Sequence, residues 1–209
     1  MALEQPRYEV LFELDGVEFR EYAPYMVVET LIETDRYNAA GNEGFRRLFV
    51  YISGNNSGQR KIAMTAPVAQ APAGGEKISM TAPVAQTASD GGWTLAFMLP
   101  SKYDANTAPA PRDPRVRLRE VPARLVAVWR YSGRWTGANY RENAEALRSA
   151  LVDAEVEIVG PLFAAMYNSP MMPAFLRRNE IHAPVAALPA AAAQGMAASG
   201  DVQPMTAQR

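Results

Sequence analysis

The chain carries a single histidine, His182, and no cysteine, which removes most of the common nucleophile and metal constellations at once. Disulfides, thiolate metal sites, iron–sulfur clusters and a thiolate haem ligand are excluded. Histidine-rich zinc sites go as well, and a Ser-His-Asp triad would have to run through His182. Other side chains stand out by type and spacing. Met171, Met172 and Phe175 lie in NSPMMPAF (168–175), a connection bracketed by Pro170 and Pro173 where polar residues are the rule; flexible thioethers mould well to an apolar surface. Arg177 and Arg178 follow directly, and an arginine fork pairs naturally with a carboxylate. Adjacent strand residues face opposite ways, so at most one of the two should face any slot beside that segment. Glu21 and Glu120 either form a carboxylate pair for acid–base work in a central cleft or pair with neighbouring arginines along a strand. Met64 and Met80 read as inward core residues rather than thioether ligands.

The elements that must position these groups show in the apolar spacing. KIAMTAPVAQ (61–70) recurs as KISMTAPVAQ (77–86). Ile62, Met64, Ala66 and Val68 alternate with Lys61, Ala63, Thr65 and Pro67, and Ile78, Met80, Ala82 and Val84 repeat the pattern, so two successive half-buried strands are expected. Pro67 and Pro83 cannot donate to a ladder and belong at strand ends, edges or bulges. A weaker echo relates EFREYAPYMVVETL (18–31) to RLREVPARLVAVWRY (117–131), about one hundred residues later. Each has an Arg-Glu pair, a proline break and a β-branched run, and each is followed by a helical pattern. Phe45, Leu48, Phe49 and Ile52 make the first helical stripe, closed by Gly54. Tyr140, Ala144, Leu147 and Leu151 make the second, with Thr136 as N-cap. Two such halves predict an α+β fold: a distorted antiparallel β-barrel with two long helices and pseudo-two-fold duplication.

SKYDANTAPAPRDPR (101–115) reads as a long surface connection between the halves. Residues 186–209, Ala-rich and without aromatic or periodic apolar positions, are expected to be a disordered tail, leaving one domain over 1–185 with pseudo-repeats at about 7–100 and 113–184. The composition, 48% hydrophobic and 21% charged with a net charge of -1, is that of an ordinary soluble globular protein. It offers no basic stripe for nucleic acid. No apolar run suits membrane insertion and MALEQPRYEV does not read as a secretory signal, so a cytoplasmic location is expected.

Several of these stretches together resemble the SOUL haem-binding proteins: EFREY (18–22), EGFRRLFVYISGNN (43–56), KIAMTAPV (61–68), MLPSKY (98–103), DPRVRLREVPARLVAVWRYSG (113–133) and YNSPMMPAFLRRNEI (167–181). The doubled KIAMTAPV element resembles the plant and bacterial branch. The resemblance implies a barrel architecture shared with bacterial effector-binding domains, and binding of haem b or another tetrapyrrole in an apolar groove between the first helix and a loop near the C-terminus. Carried onto this chain, the groove would use Phe45, Leu48, Phe49 and Ile52 from the helix and Met171, Met172 and Phe175 from the loop. Arg177 or Arg178 would hold a propionate. His182, where an aromatic is usual in the family, would be the one imidazole available as an axial iron ligand.

The function expected on this basis is cytosolic binding, buffering or transport of haem or a porphyrin without catalytic turnover. Two alternatives use the same residues differently. One is a small-molecule effector-binding protein or hydrolase-like enzyme with Glu21 or Glu120 as base. The other is an interaction module whose tail recruits a partner, for instance a haem-using protein.

Overall fold

The computed structural model describes residues 3–73 and 91–192. The second decapeptide, with Lys77, Met80 and Pro83, lies outside the described residues, as do 193–209. Nine strands are present among the described residues: β1 (Tyr8–Leu14), β2 (Val17–Tyr22), β3 (Tyr25–Ile32), β4 (Val68–Pro72), β5 (Trp93–Met98), β6 (Val116–Val121), β7 (Arg124–Tyr131), β8 (Phe163–Met166) and β9 (Asn179–Pro184). Two helices join them, α1 (Tyr37–Ile52) and α2 (Gly137–Asp153).

All pairings are antiparallel, in the order β1-β2-β7-β9-β8-β4-β5-β3-β6. Without β1 this order is a palindrome: exchanging β2 for β6, β3 for β7, β4 for β8 and β5 for β9 returns the same sheet. The echo between 18–31 and 117–131 thus corresponds to a pseudo-two-fold relation in the strand order of the sheet. The two halves also interlock, since β2 pairs with β7 and β3 with β6. One cavity is lined by side chains from every strand between β2 and β9. A flat sheet could not do this, so the sheet curls into the distorted barrel expected.

Period-two alternation sorts the side chains between the two faces. On one face α1 packs on β3 and β5, and α2 on β7 and β9. Leu48, Tyr51 and Ile52 join Met26, Val28, Leu95 and Phe97 in the α1 core, while Tyr140, Ala144, Leu147 and Leu151 join Phe19, Ala127, Ile181 and Ala183 in the α2 core. The α2 stripe is the one read from spacing, and Thr136 caps it by accepting a hydrogen bond from the Asn139 amide at 3.2 Å. The helix starts meet where Tyr37 stacks on Tyr140 with centroids 5.4 Å apart and Trp93 stands edge-on to both.

KIAMTAPV is only partly the strand its alternation predicts. Ile62 and Ala66 are buried as expected, but ladder pairing begins at Val68. Residues 61–67 are tied elsewhere: the Ile62 amide donates to Ile52 O, the Ala66 amide to Glu4 O, and Thr65 Oγ1 to Met98 O. Pro67, with no N–H to give, stands immediately before the strand. Met64 packs against the α1 core, as a core residue should.

Two connections are better anchored than their composition suggests. The 101–115 segment is fastened to the end of α1 by Tyr51 Oη donating to Pro109 O at 2.8 Å and by the Ser57 amide donating to Ala110 O. At the other end, Leu188 packs against the α2 core and Ala192 is buried. The described residues run to 192, past 186, where the tail was expected to begin.

Candidate functional site

All six residues of β9 are buried, and they divide by parity. Ile181 and Ala183 face the α2 core. Glu180 and His182 face the other way, and His182 lines the cleft inside the curl. A buried carboxylate is tolerated only when charge and hydrogen bonds replace its water, and Glu180 is heavily compensated. Arg20 of β2, also buried, reaches it in a fork at 3.0 and 3.1 Å. Arg178 donates to Oε1 at 2.7 and 2.9 Å, and Tyr167 Oη donates to Oε2 at 2.8 Å. His182 Nε2 is 2.8 Å from the same oxygen. Burial alone would raise the Glu180 carboxyl; the hydrogen bonds from His182 and Arg20, with the Arg20 charge, more than reverse this and hold it well below the usual carboxylate range.

His182 moves the opposite way to a paired surface histidine. Burial pushes its pKa below 6.5 despite the Glu180 carboxylate. A carboxylate accepts but does not donate, so Nε2 carries the proton and Nδ1 keeps the lone pair. The pH dependence follows. Above about 6.5 the neutral ring costs nothing; below it the unfolded imidazole takes up a proton that the folded one refuses, so stability falls on acidification. Glu180 adds a second loss below its ordinary value of 4.5, where the unfolded carboxyl protonates first. A thermal unfolding series from pH 8 to pH 4 should show both limbs, and His182→Gln, which keeps a donor at the Nε2 position, should flatten only the upper one. Identical profiles for the two proteins would contradict this assignment.

A second buried carboxylate faces the cleft from β3. Glu29 accepts from Arg117 Nε at 2.7 Å and from Arg119 Nε at 2.8 Å. These two acids, not Glu21 and Glu120, are the buried carboxylates of the cleft face. Glu21 shares its parity with Phe19, and Glu120 with Leu118. Both are therefore on the helix-bearing face, and both are exposed, so neither can act as a base in the cleft. The signal for the true pair was an acid inside an apolar strand, MVVETL and NEIHAP, where a charge is almost never buried without a partner.

The residues expected to hold a tetrapyrrole are distributed differently from the sequence reading. Phe45 and Phe49 stack on each other on the outer surface of α1, 39% and 49% exposed, and Phe45 also meets Phe97 edge-on. Leu48 and Ile52 point inward and belong to the core, not to a groove. Met171 is 92% exposed and Phe175 75%, with Met172 also exposed. Arg177 turns back into its own loop, donating to Met172 O at 2.8 Å and Pro170 O at 2.6 Å with its guanidinium over the Trp135 ring. Arg178 is committed to Glu180, so neither arginine stands free for a propionate.

His182 is the larger correction. It lies in the cleft, whereas α1 packs on the opposite face, so the sheet separates the imidazole from Phe45 and Phe49. The cleft encloses about 90 Å³, well under the roughly 300 Å³ at which pockets for drug-sized ligands begin. The cleft beside His182 is, as it stands, smaller than a macrocycle would fill. Among the described residues there is also no group of three or more His, Asp or Glu side chains that could hold a metal ion, and no helix long and apolar enough to cross a membrane.

The fold has solved counterparts: the C-terminal domain of EcmrR superposes with a TM-score of 0.55 at 11% identity, covering 87% of this chain and 99% of that one. At that identity the likeness shows the fold alone. In sequence, the chain is 27% identical to mouse Heme-binding protein 2 over 185 residues, covering 86% of this chain and 85% of that protein. It is 29% identical to human Heme-binding protein 2 over 163 residues, covering 78% and 74%. The profile of the SOUL heme-binding protein family matches residues 3–184, which is nearly the whole of the described structure, and the chain belongs to that family.

Proposed function

We propose that this protein binds haem b, or a related tetrapyrrole, against the exposed apolar side chains of α1 and the 168–176 segment, and carries or buffers it in the cytoplasm without turning it over. The observation that carries this reading is the exposure of Phe45, Phe49, Met171 and Phe175 in a chain of this family. Large aromatic and thioether groups left in water mark a surface that covers something apolar. The stacked phenyl pair offers a flat face, and the methionines offer adaptable contact. Bound haem would contribute the iron and the macrocycle; the chain contributes the apolar platform and charge for the propionates. Arg46, exposed on α1 between Phe45 and Phe49, replaces Arg177 and Arg178 as the propionate partner, since its surface pair with Glu43 at 3.0 Å is weak.

Haemin titration of the full chain, read at the Soret band, tests this. One haemin per chain should saturate. The pairs Phe45→Ala/Phe49→Ala and Met171→Ala/Phe175→Ala should each weaken binding by about tenfold or more, from lost apolar area. His182→Gln should leave both band and affinity unchanged. Loss of the band in His182→Gln with both pairs intact would move the haem into the cleft, and no saturation in any protein would end the haem reading.

A further inference from the structure

The cleft itself is built for a different ligand. Of the arginines around it, Arg20 and Arg178 are bound to Glu180, and Arg117 and Arg119 to Glu29. Arg124, at the start of β7, lines the cleft and pairs with no carboxylate among the described residues. Its guanidinium lies over the Phe163 ring at 5.2 Å and makes one long hydrogen bond to Tyr25 Oη at 3.4 Å. Its Nε is buried and has no hydrogen-bond partner. An unsatisfied buried donor on a charged group is costly, and here it adjoins a cavity. Val27, Ala69, Ala96, Val121 and Phe163 form the apolar part of the wall, and of its polar groups Glu29, Arg119, Tyr167 and His182 belong to the two carboxylate networks.

We infer that the cleft is a second binding site, for a small monocarboxylate with an apolar body, and that Arg124 is the group that recognises its charge. A cation is disfavoured because Glu29 and Glu180 are each already held by two arginines. A neutral ligand would leave Arg124 unmatched. The cleft volume of about 90 Å³ suits a single small ring or branched chain. The site lies on the face of the sheet opposite α1 and stands independently of the haem reading.

Calorimetric titration of the full chain with benzoate tests it, with benzyl alcohol, benzylammonium and inorganic phosphate in parallel. Benzoate should saturate at one per chain and bind about tenfold or more tighter than benzyl alcohol, the worth of a charge-assisted hydrogen bond. Benzylammonium and phosphate should not saturate. Arg124→Gln should bring benzoate down to the level of benzyl alcohol. Arg115→Gln, at an exposed arginine paired with Asp113, should change nothing. Failure of benzoate to saturate, equal binding of any of the other three probes, or an equal loss in Arg115→Gln overturns the proposal. If Arg124→Gln does not fold, the ratio of benzoate to benzyl alcohol in the unmodified chain decides.

Discussion

Glu180→Ala should destabilise the protein by about 3–5 kcal/mol, the cost of leaving a buried charge without its partner. The side chain removed is fully buried, and so is Arg20, whose guanidinium would keep only the Glu18 carboxylate and the Tyr22 hydroxyl. Tyr167 Oη and His182 Nε2 would lose their acceptor in the same step. Urea unfolding followed by circular dichroism measures the loss. The double variant Arg20→Met/Glu180→Leu should recover the share owed to the stranded Arg20 charge, while Tyr167, Arg178 and His182 still lack their acceptor. A single-variant loss below about 1 kcal/mol would mean that water reaches the network, and the buried-pair reading would fail.

Leu48→Ala and Leu147→Ala should each cost about 2–5 kcal/mol. Both leucines are fully buried on the inner faces of α1 and α2. They belong to separate cores, so the double variant should show the sum of the single losses to within about 0.5 kcal/mol. Chemical denaturation of the three variants checks this. A strongly unequal pair would show that one helix face is loosely packed, and a non-additive double would show that the cores communicate.

Much of the architecture was legible because it rests on periodicity. The α2 stripe, the Thr136 cap and the repeated strand–proline–strand pattern all appear where spacing puts them, since helices and strands bury residues at fixed intervals. KIAMTAPV misled because alternation reports burial, not ladder pairing: Ile62 and Ala66 are inside, yet their amides bond to loop and helix carbonyls. The site was less legible for a related reason. Phe45 and Leu48 look alike as apolar letters, and only the helix phase against β5 separates a surface aromatic from a core leucine. Arg178 and Glu180 look like surface charge until β2 supplies Arg20 from far away in the chain. Arg124 has no sequence signal at all, because what distinguishes it is the lack of a carboxylate partner among the described residues.

The interlocked strand order has a consequence for how the chain acquires its structure. β2 is made early, but its partner β7 is more than one hundred residues away, as the pairing of Phe19 with Ala127 shows. β3 likewise needs β6 and β4 needs β8, so the first half of the chain leaves the ribosome with three unpaired strand edges and an open apolar face. Neither half is a folding unit, and such long-range pairing makes folding late and slow. Unfolding should correspondingly be one concerted event, despite two separate cores. Between synthesis and closure the nascent chain is a natural client for chaperones.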